Sequence, residues 1–362
     1  MHRLELTKPD GRALRLYSRT PLDEGLTAPS PFDQPLAGWP HLRWHPLRGE
    51  WVTYAAYRQG RTFLPPPEYN PLAVTTDPAR PTEVPAGNWE VAVFDNRFPS
   101  LAPLPPDASL PDLPVPCASA DGACEVVVFT QDPQSSLGAL DLGHLELLLQ
   151  VWGERVERLG AQARIAYVLP FENRGAEVGV TLHHPHGQIY AYPVVPPVPA
   201  RMQQVAHAHW RAEGRGPLTD LIAAERRDGR RMLYEGPHAV AFLPVCARYP
   251  YEAWVAPIRP VEHLHHLAPP EREDLARALK TLLARYDGLW QRPFPYLMAW
   301  YQAPTDGAPH PEWHLHAQFY PPYRTRDRLK FLAGTELGAG FFAMDALPED
   351  KAAELRQVEV GP

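Results

Sequence analysis

Short runs rich in β-branched and aromatic residues alternate with longer stretches of helical spacing along this chain. Trp89-Glu90-Val91-Ala92-Val93-Phe94 and Cys124-Glu125-Val126-Val127-Val128-Phe129 predict strands over about 89–94 and 124–129. Leu145, Leu148, Leu149, Trp152, Val156 and Leu159 then recur at helical spacing, predicting a helix over about 141–160 with Asp141 as its cap and Gly160 as its stop. A strand over about 164–169 and a loop lead into His183-His184-Pro185-His186-Gly187-Gln188-Ile189-Tyr190. After the proline-rich 193–199, helical patterns cover about 199–213 and 217–228. The earlier order then returns: a strand at about 252–258, a helix at about 270–290 opened by Pro269-Pro270, a strand at about 296–301, and Trp313-His314-Leu315-His316-Ala317-Gln318-Phe319-Tyr320.

In an extended segment side chains alternate faces, so His184, His186, Gln188 and Tyr190 share one side. Pro185 biases His184 toward extended geometry. His184-x-His186-x-Gln188-x-Tyr190 matches His314-x-His316-x-Gln318-x-Tyr320 position for position, in equivalent strands of the two repeats. That echo predicts an internal duplication. The expected fold is α+β, two halves with antiparallel sheets and helices packed on them, spanning residues 1–195 and 196–362. The second motif lacks the proline and glycine of the first, so it reads as a degenerate half, with His316 and Gln318 serving packing or substrate contact.

Composition narrows the function. The 362 residues, 44% hydrophobic and 21% charged, suit a globular protein with ample core. The 45 prolines cluster in connectors such as 103–116 and 193–199, predicting loops there. A net charge of −7 lacks the basic balance of a nucleic-acid binder. Three cysteines (Cys117, Cys124 and Cys246) form no disulfide framework. With no leader-like apolar core at Met1–Glu5 and no apolar run long enough to cross a bilayer, the expectation is a cytoplasmic protein without membrane partners.

The segment Phe171-Glu172-Asn173-Arg174-Gly175-Ala176, with Gly179, Thr181 and the His184-Pro185-His186-Gly187-Gln188 core, resembles the galactose-1-phosphate uridylyltransferase family of the histidine-triad superfamily. Trp51-Val52 with Arg58 and Arg61, Phe94-Asp95-Asn96-Arg97-Phe98, and Phe319-Tyr320-Pro321-Pro322 extend the likeness over roughly residues 40 to 355. The resemblance implies duplicated histidine-triad halves and a homodimer with shared active sites. The implied substrates are UDP-glucose and galactose 1-phosphate.

It also implies roles. Imidazole is neutral and nucleophilic near pH 7, its ordinary pKa being about 6.5. His186 would attack the α-phosphorus of a UDP-sugar and carry the uridylyl group. The departing sugar phosphate is a good leaving group, its second pKa being near 6. Gln188 stands where histidine-triad hydrolases carry a histidine; an amide moves no protons but donates hydrogen bonds to phosphoryl oxygens, which favours transfer over hydrolysis. His184 either orients His186 or merely packs. Gly187 would admit the phosphate to the backbone. Asn173, Gly175, Gly179 and Thr181 would form a phosphate or ribose cradle, although the glycines by themselves read as turn residues. Arg58 and Arg61 match phosphate-binding arginines and, by themselves, read as solvated surface charges. Asn96 matches a nucleotide contact, and Leu72, Phe94 and Val126 a uracil pocket. Lys330 and Glu336 fall where the family contacts sugar and phosphate, often across the dimer. The same core also suits an ADP-sugar or dinucleotide phosphorylase, or a non-catalytic nucleotide-binding protein.

Many family members bind zinc through Cys-x-x-Cys, a histidine and the first histidine of the core. Here those positions read Asn70-Pro71-Leu72-Ala73, Pro133 and His184; those of a second site read Met202, Tyr301, His316 and Gln318. Tetrahedral zinc needs four good ligands, so the expectation is no metal and no cofactor. His207-x-His209 and His263-x-His265-His266 are expected in solvated or capping roles.

Overall fold

The computed structural model describes residues 1–35, 38–60 and 69–361. Eleven strands form one antiparallel sheet: β1 His2–Thr7, β2 Ala13–Ser18, β3 Val91–Asp95, β4 Ala123–Val128, β5 Tyr167–Arg174, β6 His186–Tyr192, β7 Met232–Glu235, β8 Ala239–Phe242, β9 Ala253–Pro257, β10 Tyr296–Tyr301 and β11 His316–Tyr320. Their spatial order is β1-β2-β3-β4-β6-β5-β10-β11-β9-β8-β7. The order mirrors itself about the β5–β10 pair, where Phe171 lies opposite Ala299 and Arg174 opposite Tyr296. Each half therefore contributes an antiparallel sheet, and the two join edge to edge.

Helices α1 (Leu142–Gly160) and α4 (Pro269–Leu289) occupy equivalent places in the two halves and pack against each other. Asp141 caps α1 by accepting a hydrogen bond from the backbone N–H of His144 at 2.8 Å. Trp152 of α1 stacks edge-on against Phe129 and lies 6.1 Å from Trp300 of β10. All three are fully buried, and each side chain contributes about 2–3 kcal/mol of hydrophobic stabilisation. One core thus spans both halves on the helical face of the sheet.

The opposite face differs between the halves. In the second, α2 (Pro197–Glu213) precedes α3 (Pro217–Asp228), whose Leu218 and Ile222 cover Val240, Phe242 and Ala256. In the first, Leu14, Leu16, Ala92, Phe94 and Val128 pack beneath Leu72, Val84 and Trp89. Among the described residues that covering layer is loop and the two short paired strands Val74–Thr75 and Val84–Pro85.

Candidate active site

β6 is an interior strand, hydrogen-bonded to β4 on one side and β5 on the other, so its side chains stand on a rigid platform. His186 lies opposite Val128, and Gln188 opposite Val126 and Phe171. The period of two places His186 and Gln188 on the face with Phe94, Val126 and Val128, away from α1. Gly187 faces the other way. A Cβ there would come within 2.8 Å of both the Phe129 ring and the Phe171 carbonyl oxygen. Glycine at this position is thus required by packing behind the strand, in addition to any approach of a phosphate from the front.

The ring of His186 is fixed by a short relay. Its Nδ1 lies 2.7 Å from the backbone oxygen of His184. A carbonyl only accepts, so Nδ1 carries the proton and Nε2 the lone pair. His184 is held in turn: its Nε2 donates to the Thr130 carbonyl at 2.7 Å, and its Nδ1 accepts from the Asn70 amide at 3.0 Å. Asn70 is oriented by the Leu72 N–H, which donates to its Oδ1 at 3.0 Å. Both ring nitrogens of His184 are thereby engaged by protein where the family's zinc would take one, and Asn70, Ala73 and Pro133 do not supply that zinc's other ligands. Burial lowers the pKa of both imidazoles, keeping them neutral.

His186 forms part of the wall of two cavities. One, of about 250 Å³, is also lined by Arg58, Leu72, Phe94, Asn96, Val126, Asn173, Gly179, Thr181 and Gln188, all singled out in the sequence. Leu72 and Phe94 are buried apolar walls. Asn173 presents a buried Oδ1 with no hydrogen-bond partner among the described residues, an acceptor available to a ligand. Gly179 ends a short 3-10 turn at φ +81°, a conformation suited to glycine. Arg58 donates to the Phe98 carbonyl; Arg61 lies outside the described residues. The second cavity, about 710 Å³, has Ser135, Ser136, Glu172, Arg174 and His184 in its lining. Glu172 is buried and accepts from the Tyr296 hydroxyl at 2.8 Å; burial pushes its pKa up to about 7.

Arg97 also lines the first cavity, its guanidinium over the Phe32 ring at 4.5 Å and its Nε buried without a partner among the described residues. Its neighbour Asn96 is legible in the sequence through the resemblance, whereas Arg97, a lone arginine, carries no spacing signal.

Other singled-out residues lie elsewhere. His316 and Gln318 are buried in the second half beside a separate cavity of about 410 Å³. Lys330 and Glu336 face each other at 3.7 Å in the C-terminal segment and line neither cavity beside His186.

The expectation of no metal site is overturned. His207, His310 and Glu312 bring three ligand atoms within 4.8 Å of one another, a group able to hold a metal ion. His207 is therefore not simply a solvated helix residue.

A duplicated histidine-triad-like sheet, with a neutral histidine presented on its central strand between two cavities, defines a class of nucleotide-processing enzymes. Residues 33–196 match the N-terminal domain, and residues 202–360 the C-terminal domain, of galactose-1-phosphate uridyl transferase. The chain belongs to the galactose-1-phosphate uridylyltransferase family. It is 36% identical over 323 residues to the galactose-1-phosphate uridylyltransferase of Thermotoga maritima, covering 88% of this chain and 98% of that one. The Haemophilus influenzae enzyme is 32% identical over 338 residues, covering 88% and 94%. A solved uridylyltransferase superposes with a TM-score of 0.77 at 31% identity, covering 88% of this chain and 98% of its own. Among the described residues no helix is long and apolar enough to cross a membrane.

Proposed function

We propose that this enzyme moves UMP between UDP-glucose and galactose 1-phosphate in two displacements through a uridylyl group on His186. The observation that carries this reading is the His186 ring, anchored through Nδ1 and bearing its lone pair on Nε2 at the wall between two cavities. The apolar walls at Leu72, Phe94 and Val126 suit the uracil, and the Ser135, Ser136 and Arg174 side of the second cavity suits the hexose phosphate. Nε2 attacks the α-phosphorus, an N–P bond forms, and the bond to the sugar-phosphate oxygen breaks. The sugar phosphate leaves as an anion and needs no acid. Gln188 donates amide hydrogens to the phosphoryl oxygens, and a phosphate oxygen of the second sugar phosphate then attacks the same phosphorus, forming a new P–O bond as the N–P bond breaks and its electron pair returns to Nε2 of His186.

The halves divide near 195/196 in this reading, and the enzyme acts in the cytoplasm as a homodimer. Exposed Phe331, Leu337 and Phe341 beside Lys330 and Glu336 support a subunit contact that carries these two residues toward the partner's site.

The test is to incubate the protein with UDP-glucose alone and weigh it. A UMP adduct that is absent from His186→Ala supports the reading. An AMP adduct formed only from ADP-glucose would replace it with an ADP-sugar enzyme, and tight binding without any adduct would sink the covalent step.

A further inference from the structure

We propose that His207, His310 and Glu312 form a binding site for one divalent transition-metal ion of the zinc type, pinning α2 to the loop between β10 and β11. His207 comes from α2 and the other two from that loop, so the site links elements distant in sequence. Oε1 of Glu312 lies 3.2 Å from Nε2 of His207 and 3.2 Å from Nδ1 of His310. Ligand atoms about 2.0–2.1 Å from a tetrahedral zinc stand about 3.3 Å apart, so these separations already match edges of that tetrahedron.

The outer partner is in place as well. Nε2 of His310 lies 2.9 Å from Oδ1 of Asp306, while its Nδ1 faces Glu312. A neutral imidazole has one ring proton. With that proton given to Asp306, the Nδ1 lone pair faces the Glu312 carboxylate oxygen at 3.2 Å, two electron-pair donors in contact that a cation between them satisfies. A carboxylate holding the far nitrogen of a ligating histidine is the usual way a protein fixes such a ring.

The Glu312 and His310 side chains are 2% and 4% exposed, whereas His207 is 45% exposed. The inner two ligands are thus buried, and the half-exposed third offers an ion a route from solvent. Two imidazoles and one carboxylate favour zinc, cobalt or nickel over magnesium or calcium, which prefer all-oxygen sites. None of the three residues is among Met202, Tyr301, His316 and Gln318, the positions that match the family's second metal site. His207 lies further along α2 than Met202.

The test uses the full chain, stripped with chelator and titrated with zinc alone, then with cobalt. Wild type is expected to bind one zinc per chain, to melt at a higher temperature with zinc than without, and to give the intense visible band of tetrahedral cobalt. His207→Ala, a half-exposed position chosen so that folding survives, should weaken zinc binding at least tenfold and lose the cobalt band. Glu312→Gln should do the same. Stoichiometric zinc that survives in both variants would place the ion elsewhere and overturn the proposal. So would a wild type that takes up no zinc while its melting transition shows it folded.

Discussion

The side-chain amide of Gln318 donates to Nε2 of His316 at 2.9 Å. Otherwise the two halves repeat the same relay. His316 Nδ1 donates to the His314 carbonyl at 2.8 Å, as His186 Nδ1 does to His184. His314 Nε2 donates to the Pro257 carbonyl, and the Thr219 hydroxyl stands at its Nδ1, where Asn70 stands at His184. The difference lies in the lone pair. Gln318, itself held by the Tyr320 hydroxyl, covers it in the second half. Among the described residues nothing hydrogen-bonds to Nε2 of His186.

One consequence concerns which histidine reacts. His186→Ala should lower turnover at least about 10⁴-fold, the scale of removing a covalent nucleophile, and His316 should not substitute for it. Peptide mapping of wild type treated with UDP-glucose should find the added mass on the His186 peptide only. A labelled His316 peptide would contradict the covering role of Gln318.

Asn70 is expected to matter through geometry alone. Its amide holds Nδ1 of His184, whose carbonyl holds His186. Asn70→Ala removes that hydrogen bond, worth about 1–1.5 kcal/mol. If the lost restraint reaches the transition state, kcat falls about tenfold while KM changes little. Steady-state kinetics separate the two constants, and a KM effect alone would mean that Asn70 contacts substrate instead.

Helices α1 and α4 and strands β3, β4, β9 and β10 were legible because their apolar periods run long or their β-branched runs are dense. The strands at and next to the sheet's edges were not. β1 mixes exposed and half-buried positions throughout, and β7 and β8 have four residues each, too few to show a period. At the site, the alternation within His184–Tyr190 correctly placed His186 and Gln188 on one face, and the resemblance supplied Arg58, Asn96 and Asn173. Gly187 was read from the phosphate side, because the Phe129 ring behind it cannot be inferred from local sequence. The His207, His310 and Glu312 group escaped for a related reason. Spacing reveals partners within one element, and these ligands meet only after α2 folds onto a loop from the far end of the second half.

Glu172 should make stability depend on pH. Its folded pKa of about 7 lies above the ordinary 4.5, so the folded state binds the proton more tightly than the unfolded chain does. The contribution is complete below about pH 4.5 and is lost as pH rises to about 7. The loss is about 3 kcal/mol at 1.36 kcal/mol per pKa unit. Glu172→Gln keeps an acceptor for the Tyr296 hydroxyl and removes the titration. Denaturant unfolding from pH 4.5 to 8 should show a steeper fall for wild type than for the variant. Parallel curves would show that Glu172 ionises at an ordinary pH.

The buried pair under the site offers a last check on how α1 supports the sheet. Glu125 of β4 takes a bidentate grip from Arg155 of α1, at 2.9 and 2.7 Å, and a third contact from Arg15 of β2 at 3.2 Å. The Glu125 and Arg155 side chains are both nearly inaccessible. Removing Glu125 leaves the buried Arg155 with only its longer contact to Glu154 at 3.8 Å, and breaking a buried pair costs about 3–5 kcal/mol. Glu125→Ala should therefore lose stability on that scale, measured by equilibrium unfolding. The double variant Glu125→Leu with Arg155→Met should recover much of the loss, because an apolar pair needs no solvation. If the double variant is as unstable as the single one, the pair's hydrogen bonds are needed to set the register of α1 against β4.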